Sequence, residues 1–195
     1  VVGSSWKGIA TMKAKPLSVA NPNTAGQVAQ RSKMSNIVEF AKQCLVSVIK
    51  PLNDRFASGQ SGYNLFVQRN ITLFALANPV AANALIISSG SVTPLAGFSF
   101  TASFGGQSIT LDWDDNTGSG NALADDELYV IGQDRNSGEV FGQATGFIRS
   151  DAGGGLSGVT LDMTLADNID IWGAFRRPDG SQVSDTVYAT AVVGA

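Results

Sequence analysis

Apolar residues recur along this chain with two different periods, and the change comes near residue 80. Met34, Val38, Ala41, Leu45, Val48 and Leu52 return at steps of four and three, with Ile37, Cys44 and Ile49 widening the stripe. This spacing predicts an amphipathic helix. Thr24 and Gln27, just after Pro22, make a capping box that starts it, and Pro51 ends or kinks it because a proline nitrogen has no proton to donate. Beyond Ser58-Gly59-Gln60-Ser61-Gly62, a second helical stretch sets Tyr63, Phe66, Val67, Asn70, Ile71 and Phe74 on one face. The two stripes are expected to pair, with Trp6 capping the pair.

From about Ala84 the period falls to two. The expected strands are Ala84–Ser88, Phe98–Phe104, Ser108–Trp113, Glu127–Gln133, Val140–Ile148, Gly158–Met163, Ile169–Phe175 and Thr186–Val192. Gly105-Gly106, Asn116-Thr117-Gly118, Asn136-Ser137-Gly138, Gly153-Gly154-Gly155 and Pro178-Asp179-Gly180 punctuate them as turns, the glycine triplet as a flexible hairpin tip. Short strands at this spacing predict an antiparallel sandwich with Trp113 and Trp172 in its inter-sheet core. The expected fold class is α+β. An N-terminal strand or arm and a basic two-helix module fill residues 1–79, and an acidic immunoglobulin- or fibronectin-III-like β-sandwich fills 80–195.

The opening stretch alternates weakly, with Val2, Trp6, Ala10 and Met12 between polar residues, and reads as a strand. With no hairpin partner expected close in sequence, it must pair with something distant or with another subunit. Val2, Trp6, Ile9 and Met12 are therefore the candidate assembly residues. Residues 16–22 read as an extended connector.

Charge changes this picture most. Residues 1–75 hold nine Lys/Arg against Glu39 and Asp54, a net +7, whereas 76–195 hold four against fourteen acidic residues, a net −10. Opposed halves attract each other within one copy or between copies. Charged residues make up only 15% of the chain, so much of the surface is neutral. The low pI of about 4.8 and the scattered basic residues argue against nucleic-acid binding. The chain has no run of about 18 apolar residues that would span a membrane. It begins at Val1 rather than Met, so a segment upstream is expected to have been removed or left out.

His is absent and Cys44 is the single cysteine, so one chain cannot build a Ser-His or Cys-His pair or a thiolate–imidazole metal site. Cys44 sits in the helical stripe and reads as a small core residue. The acidic groups Asp112, Asp114, Asp115 and Asp125, Asp126, Glu127 lie where strands meet loops, and no other feature supports catalysis. Asp112, Asp114 and Asn116 have the spacing of a calcium loop, but Thr117 replaces its glycine and Leu123 its closing glutamate. A looser Ca²⁺ site of Asp114, Asp115, Asn116, Asp125 and Asp126 is the remaining cofactor candidate. Gly153-Gly154-Gly155 has no following helix and no Lys-Ser/Thr, so it is no phosphate loop.

The segment Val2-Gly3-Ser4-Ser5-Trp6-Lys7-Gly8, then Lys15-Pro16 and Asn21-Pro22-Asn23-Thr24-Ala25-Gly26-Gln27, resembles the N-terminal signature of an uncharacterised family of about two hundred residues. That family is found mainly in Bacteroidota and is known as a domain of unknown function. The resemblance continues through Gly62-Tyr63-Asn64 and Trp113-Asp114-Asp115-Asn116 to Val183-Ser184-Asp185-Thr186-Val187-Tyr188. It implies no catalytic residues. Members usually carry a further Gly- and Phe-rich stretch upstream, which implies a processed or partly ordered version here.

The expected function is that of a non-enzymatic structural subunit that assembles with copies of itself, in a virion such as a bacteriophage particle or in an extracellular filament, tube or surface layer. The alternative is a glycan- or surface-binding module, Ca²⁺-dependent in one form, with Tyr129 and Tyr188 as its few stacking candidates. Strand donation by residues 1–13 leads to one expectation: Trp6→Ala lowers self-association in light scattering and leaves the β-region folded by circular dichroism.

Overall fold

The computed structural model describes residues 2–6, 8–13, 23–104, 107–156, 163–164 and 167–194. It is α+β, with helices and antiparallel sheets of two, three and four strands. The opening residues form β1 (Val2–Trp6) and β2 (Ile9–Lys13), paired antiparallel with Trp6 opposite Ile9. The single strand expected there is thus a hairpin. Gly8 at φ 81° supplies the positive backbone angle that lets the chain turn back after Lys7. Ile9 and Met12, an odd number of positions apart on β2, point to opposite faces and stand 62% and 79% exposed. The side chains of Val2 and Trp6, and hence the capping role expected of Trp6, lie outside what is described.

Helix α1 (Ala25–Cys44) starts as expected, with the Thr24 hydroxyl accepting the Gln27 N–H at 3.4 Å. It then widens into a π-turn at Leu45–Ile49 before α2 (Lys50–Asn53). The widened turn stands just before Pro51, which cannot donate to an i−4 carbonyl, and there the Lys50 N–H reaches back to Leu45 O. Ile37, Phe40, Ala41, Cys44, Val48, Ile49 and Leu52 are buried, whereas Met34, the expected start of the stripe, is 44% exposed. Helix α3 (Gly62–Asn70) packs beside them through Phe66 and Val67, and its stripe ends at buried Phe74.

The remaining strands are β3 (Ala96–Ser103), β4 (Ser108–Asp114), β5 (Glu127–Asp134), β6 (Val140–Ile148), β7 (Gly153–Gly155), β8 (Asn168–Arg176) and β9 (Val187–Val192). They form a β3-β4-β7 sheet and a β6-β5-β8-β9 sheet. Residues of β5 alternate between two cores. Tyr129 and Ile131 join the helices, and Leu128 and Val130 join the other sheet. In β8, Ile169 and Ile171 enter the inter-sheet core with Phe100, Ile109, Leu111 and Trp113. The result is three layers: helices, four-stranded sheet, three-stranded sheet. Along one side, paired bonds between Ala102 or Phe104 and Gly194 tie the two sheets together.

Three expectations are corrected here. Trp172 faces the helices rather than the other sheet, because it alternates with Ile171; its ring meets Phe40 edge-on at 6.0 Å and its indole N–H donates to Ala82 O. The segment Ala84–Ser88 is no strand. Asn70 and Asn53 side-chain amides and the Thr186 hydroxyl serve the backbone of residues 86–88 in place of a neighbouring strand. Gly153-Gly154-Gly155 is an edge strand on β4 rather than a hairpin tip. The Phe147 ring lies where a side chain at 154 would stand, 2.3 Å from an ideal Cβ. Gly158–Met163, expected as a strand, falls almost wholly outside the described residues.

Gly142 sets the distance between helix and sheet, since a Cβ there would sit 2.4 Å from the Cys44 Cβ. Gly142→Ala is expected to destabilise the protein by about 2 kcal/mol in urea unfolding, because the buried helix face cannot move aside without strain.

Candidate functional site

The loop from Asp114 to Asp126 joins β4 to β5 and carries all five residues of the expected Ca²⁺ site. The structure brings two of them, Asn116 and Asp126, onto one cation, and that cation is a side chain. Arg149, fully buried just after β6, donates from Nε and Nη2 to Asp126 Oδ2 at 3.1 and 2.9 Å. It also donates to Asn116 Oδ1 and to Thr93 O. Its guanidinium lies 4.0 Å from the Phe175 ring centroid, and its carbonyl accepts the Trp113 indole N–H. Arg177 takes Asp126 Oδ1 at 2.6 Å. Both Asp126 oxygens are therefore engaged by guanidinium groups, and Oδ2 also accepts the Leu123 N–H.

Asp114, Asp115 and Asp125 are exposed. Asp115 Oδ1 accepts the Thr117 N–H, and hydrogen bonds from Thr117 hold its carboxyl below the usual range. Among the described residues no three His, Cys, Asp or Glu side chains converge as a metal set. Burial lowers the Arg149 pKa, opposed chiefly by its bond to Asp126. The pattern is that of a junction tying both ends of the β4–β5 loop, at Asn116 and Asp126, to Thr93 before β3 and to Arg149 after β6.

Two polar groups escaped sequence reasoning. Asp170, buried in β8, accepts a bidentate pair from Arg135 and the Tyr188 hydroxyl at 2.6 Å. A cavity of about 300 Å³ is lined by Asp134, Asn136, Glu139, Thr164 and Asp167. There Asn136 bridges the acids, its backbone N–H to Asp134 and its side-chain amide to Asp167. Hydrogen bonds from Thr164 and Asn136 hold Asp167 low. The available signal was Asp at strand positions that a simple sandwich would fill with apolar residues.

Other expected residues fall in ordinary surroundings. Tyr129 is buried, and its hydroxyl reaches Glu127. Cys44 is fully buried, and desolvation pushes its thiol up to about 12. Among the described residues, Lys42 pairs with Glu39 on α1, and four further ion pairs lie within residues 126–177. No described helix is long and apolar enough to cross a membrane.

A family model, described as a family of unknown function (DUF6266), matches residues 1–190. No curated protein and no solved structure matches.

Arg149→Ala is expected to cost about 3–5 kcal/mol in chemical unfolding, because it leaves Asp126 buried beside a cavity. The exposed control Asp115→Asn is expected to change stability by less than about 0.5 kcal/mol.

Proposed function

The chain belongs to the family of unknown function DUF6266, and we propose from its own surfaces that it is a non-enzymatic structural subunit that binds further copies of itself through its N-terminal extension. The supporting observation is burial. Among the residues whose burial is described, none before Ile37 is buried; Lys33 and Asn36 are half-buried and the rest are exposed. A lone two-stranded hairpin and three turns of uncovered helix are each marginal in water, so this extension needs a partner to cover it.

A second copy fits that need by charge. Residues 1–36 contain five Lys/Arg and no acidic residue, whereas 76–195 carry the net −10. The outer face of the β3-β4-β7 sheet presents Ser99, Thr101, Thr110, Asp112 and Asp114, all exposed, and these three strands contain no Lys or Arg. Short side chains let another backbone approach, and the carboxylates attract a basic one. Contact of one copy's extension with the next copy's sheet is head to tail and propagates into rings or filaments. The immunoglobulin-like description of the β-region belongs to the same proposal, supported by two antiparallel sheets facing each other across a shared core.

Electron microscopy and light scattering at about 0.02 and 0.5 M salt test this reading, since the Debye length falls from roughly 20 Å to about 4 Å. Regular particles that dissociate at high salt are expected, and Ile9→Ser with Met12→Ser should reduce them without lowering the melting temperature. A monodisperse monomer at both salts overturns the proposal.

A further inference from the structure

A second surface lies where the helices meet the β8–β9 connection. Lys50, Arg55 and Arg176 converge there with Asp54, Asp179 and Gly180 around an open cleft of about 330 Å³. The two acids are already engaged: Asp54 Oδ1 accepts the Gly62 N–H and Asp179 Oδ1 accepts the Ser181 N–H, each at 2.8 Å. Of the three cations, Arg176 alone makes an ion pair among the described residues, a long one of 3.3 Å to Glu127. Lys50 and Arg55 are exposed, and their side chains make no hydrogen bond or ion pair within the described residues.

Arg176 is the most informative of the three. Its only hydrogen bonds among the described residues are long ones from Nη1, 3.3 Å to Glu127 Oε2 and 3.4 Å to the Tyr129 hydroxyl. Its Nε is buried without a partner. A guanidinium has five N–H donors, and a half-buried one leaving most of them unused is costly unless something else accepts. The group is nevertheless held in place, with its Cζ 5.8 Å from the Tyr129 ring centroid. Gly180 bears no side chain, and a Cβ at that position would stand 2.4 Å from Nη2. Any other residue at 180 would therefore press on the Nη2 edge of this guanidinium.

We propose that this cleft is an oxyanion site that takes a carboxylate or phosphate group, with Arg176 as the oriented fork and Lys50 and Arg55 as flanking charges. The guanidinium geometry suits the paired oxygens of either group. The inference goes beyond self-assembly and does not depend on it, because every residue of the cleft comes from one copy.

Arginine Nε–H signals in proton–nitrogen NMR report on the site directly. Inorganic phosphate and succinate are titrated separately, with sodium chloride at matched ionic strength as the screening control. A saturable shift of the Arg176 Nε–H in the millimolar range is expected with one or both anions and not with chloride; the effective anion identifies the oxyanion. Arg55→Ala and Lys50→Ala, both exposed and safe for folding, are each expected to weaken binding about fivefold, the loss of roughly one screened charge contact. A shift that appears only on raising protein concentration also supports the site and identifies its oxyanion as a carboxylate of another copy. Shifts that follow ionic strength alone, or saturable binding left unchanged in both variants, overturn the proposal.

Discussion

Strands β5 and β8 carry apolar side chains on both faces, and almost every residue of each is buried. Two such strands hydrogen-bonded side by side make a sheet with no face fit for water, so something must cover each side. The helices take one face through Phe40, Cys44, Val48 and Phe66, and the β3-β4-β7 sheet takes the other through Ile109, Leu111 and Trp113. The rest of the architecture follows from this double cover. Gly142 lets α1 close on the sheet, and Gly154 leaves room for Phe147 beneath the short edge strand.

Burying both faces also forces polar groups inward. Arg149 and Asp126 are both fully buried, and the structure accommodates them by giving the guanidinium four hydrogen bonds to three acceptor atoms and an aromatic face. One partner without the other would be a buried charge, so the pair acts as a lock on the loops at that end of the two sheets. Asn53 and Asn70 solve a related problem on the helical side. Their amides stand in for a neighbouring strand along residues 86–87, leaving no orphaned backbone groups where the chain crosses from helices to sheets.

These locked interiors contrast with the basic first 36 residues, where no residue whose burial is described is fully buried. The acidic carboxylates lie elsewhere, on the open face of the three-stranded sheet and the loop beyond it. Self-association is economical on this arrangement, because it covers an extension that has no core of its own and brings a basic segment to an acidic face. The cleft at Arg176 has a different character. It is assembled from helix, strand and turn, and its unsatisfied donors are fixed by packing rather than left mobile at a surface.

The sequence by itself determined the elements whose cause is local. The stripe from Ile37 to Leu52, the Thr24 cap, the alternation of β4 and the apolar runs of β5 and β8 could all be read because helix and strand periods act over a few residues. What tertiary structure alone decided depended on distant partners. Trp172 faces the helices because its neighbour Ile171 has already taken the inter-sheet side. Residues 84–88 fail to pair as a strand because Asn53, Asn70 and Thr186 arrive first. Asn116 and Asp126, two of the candidate calcium ligands, meet Arg149 instead, a residue 23 positions beyond the nearer of them. Spacing along a chain can suggest which ligands come together, but the charge that sits between them is set by packing.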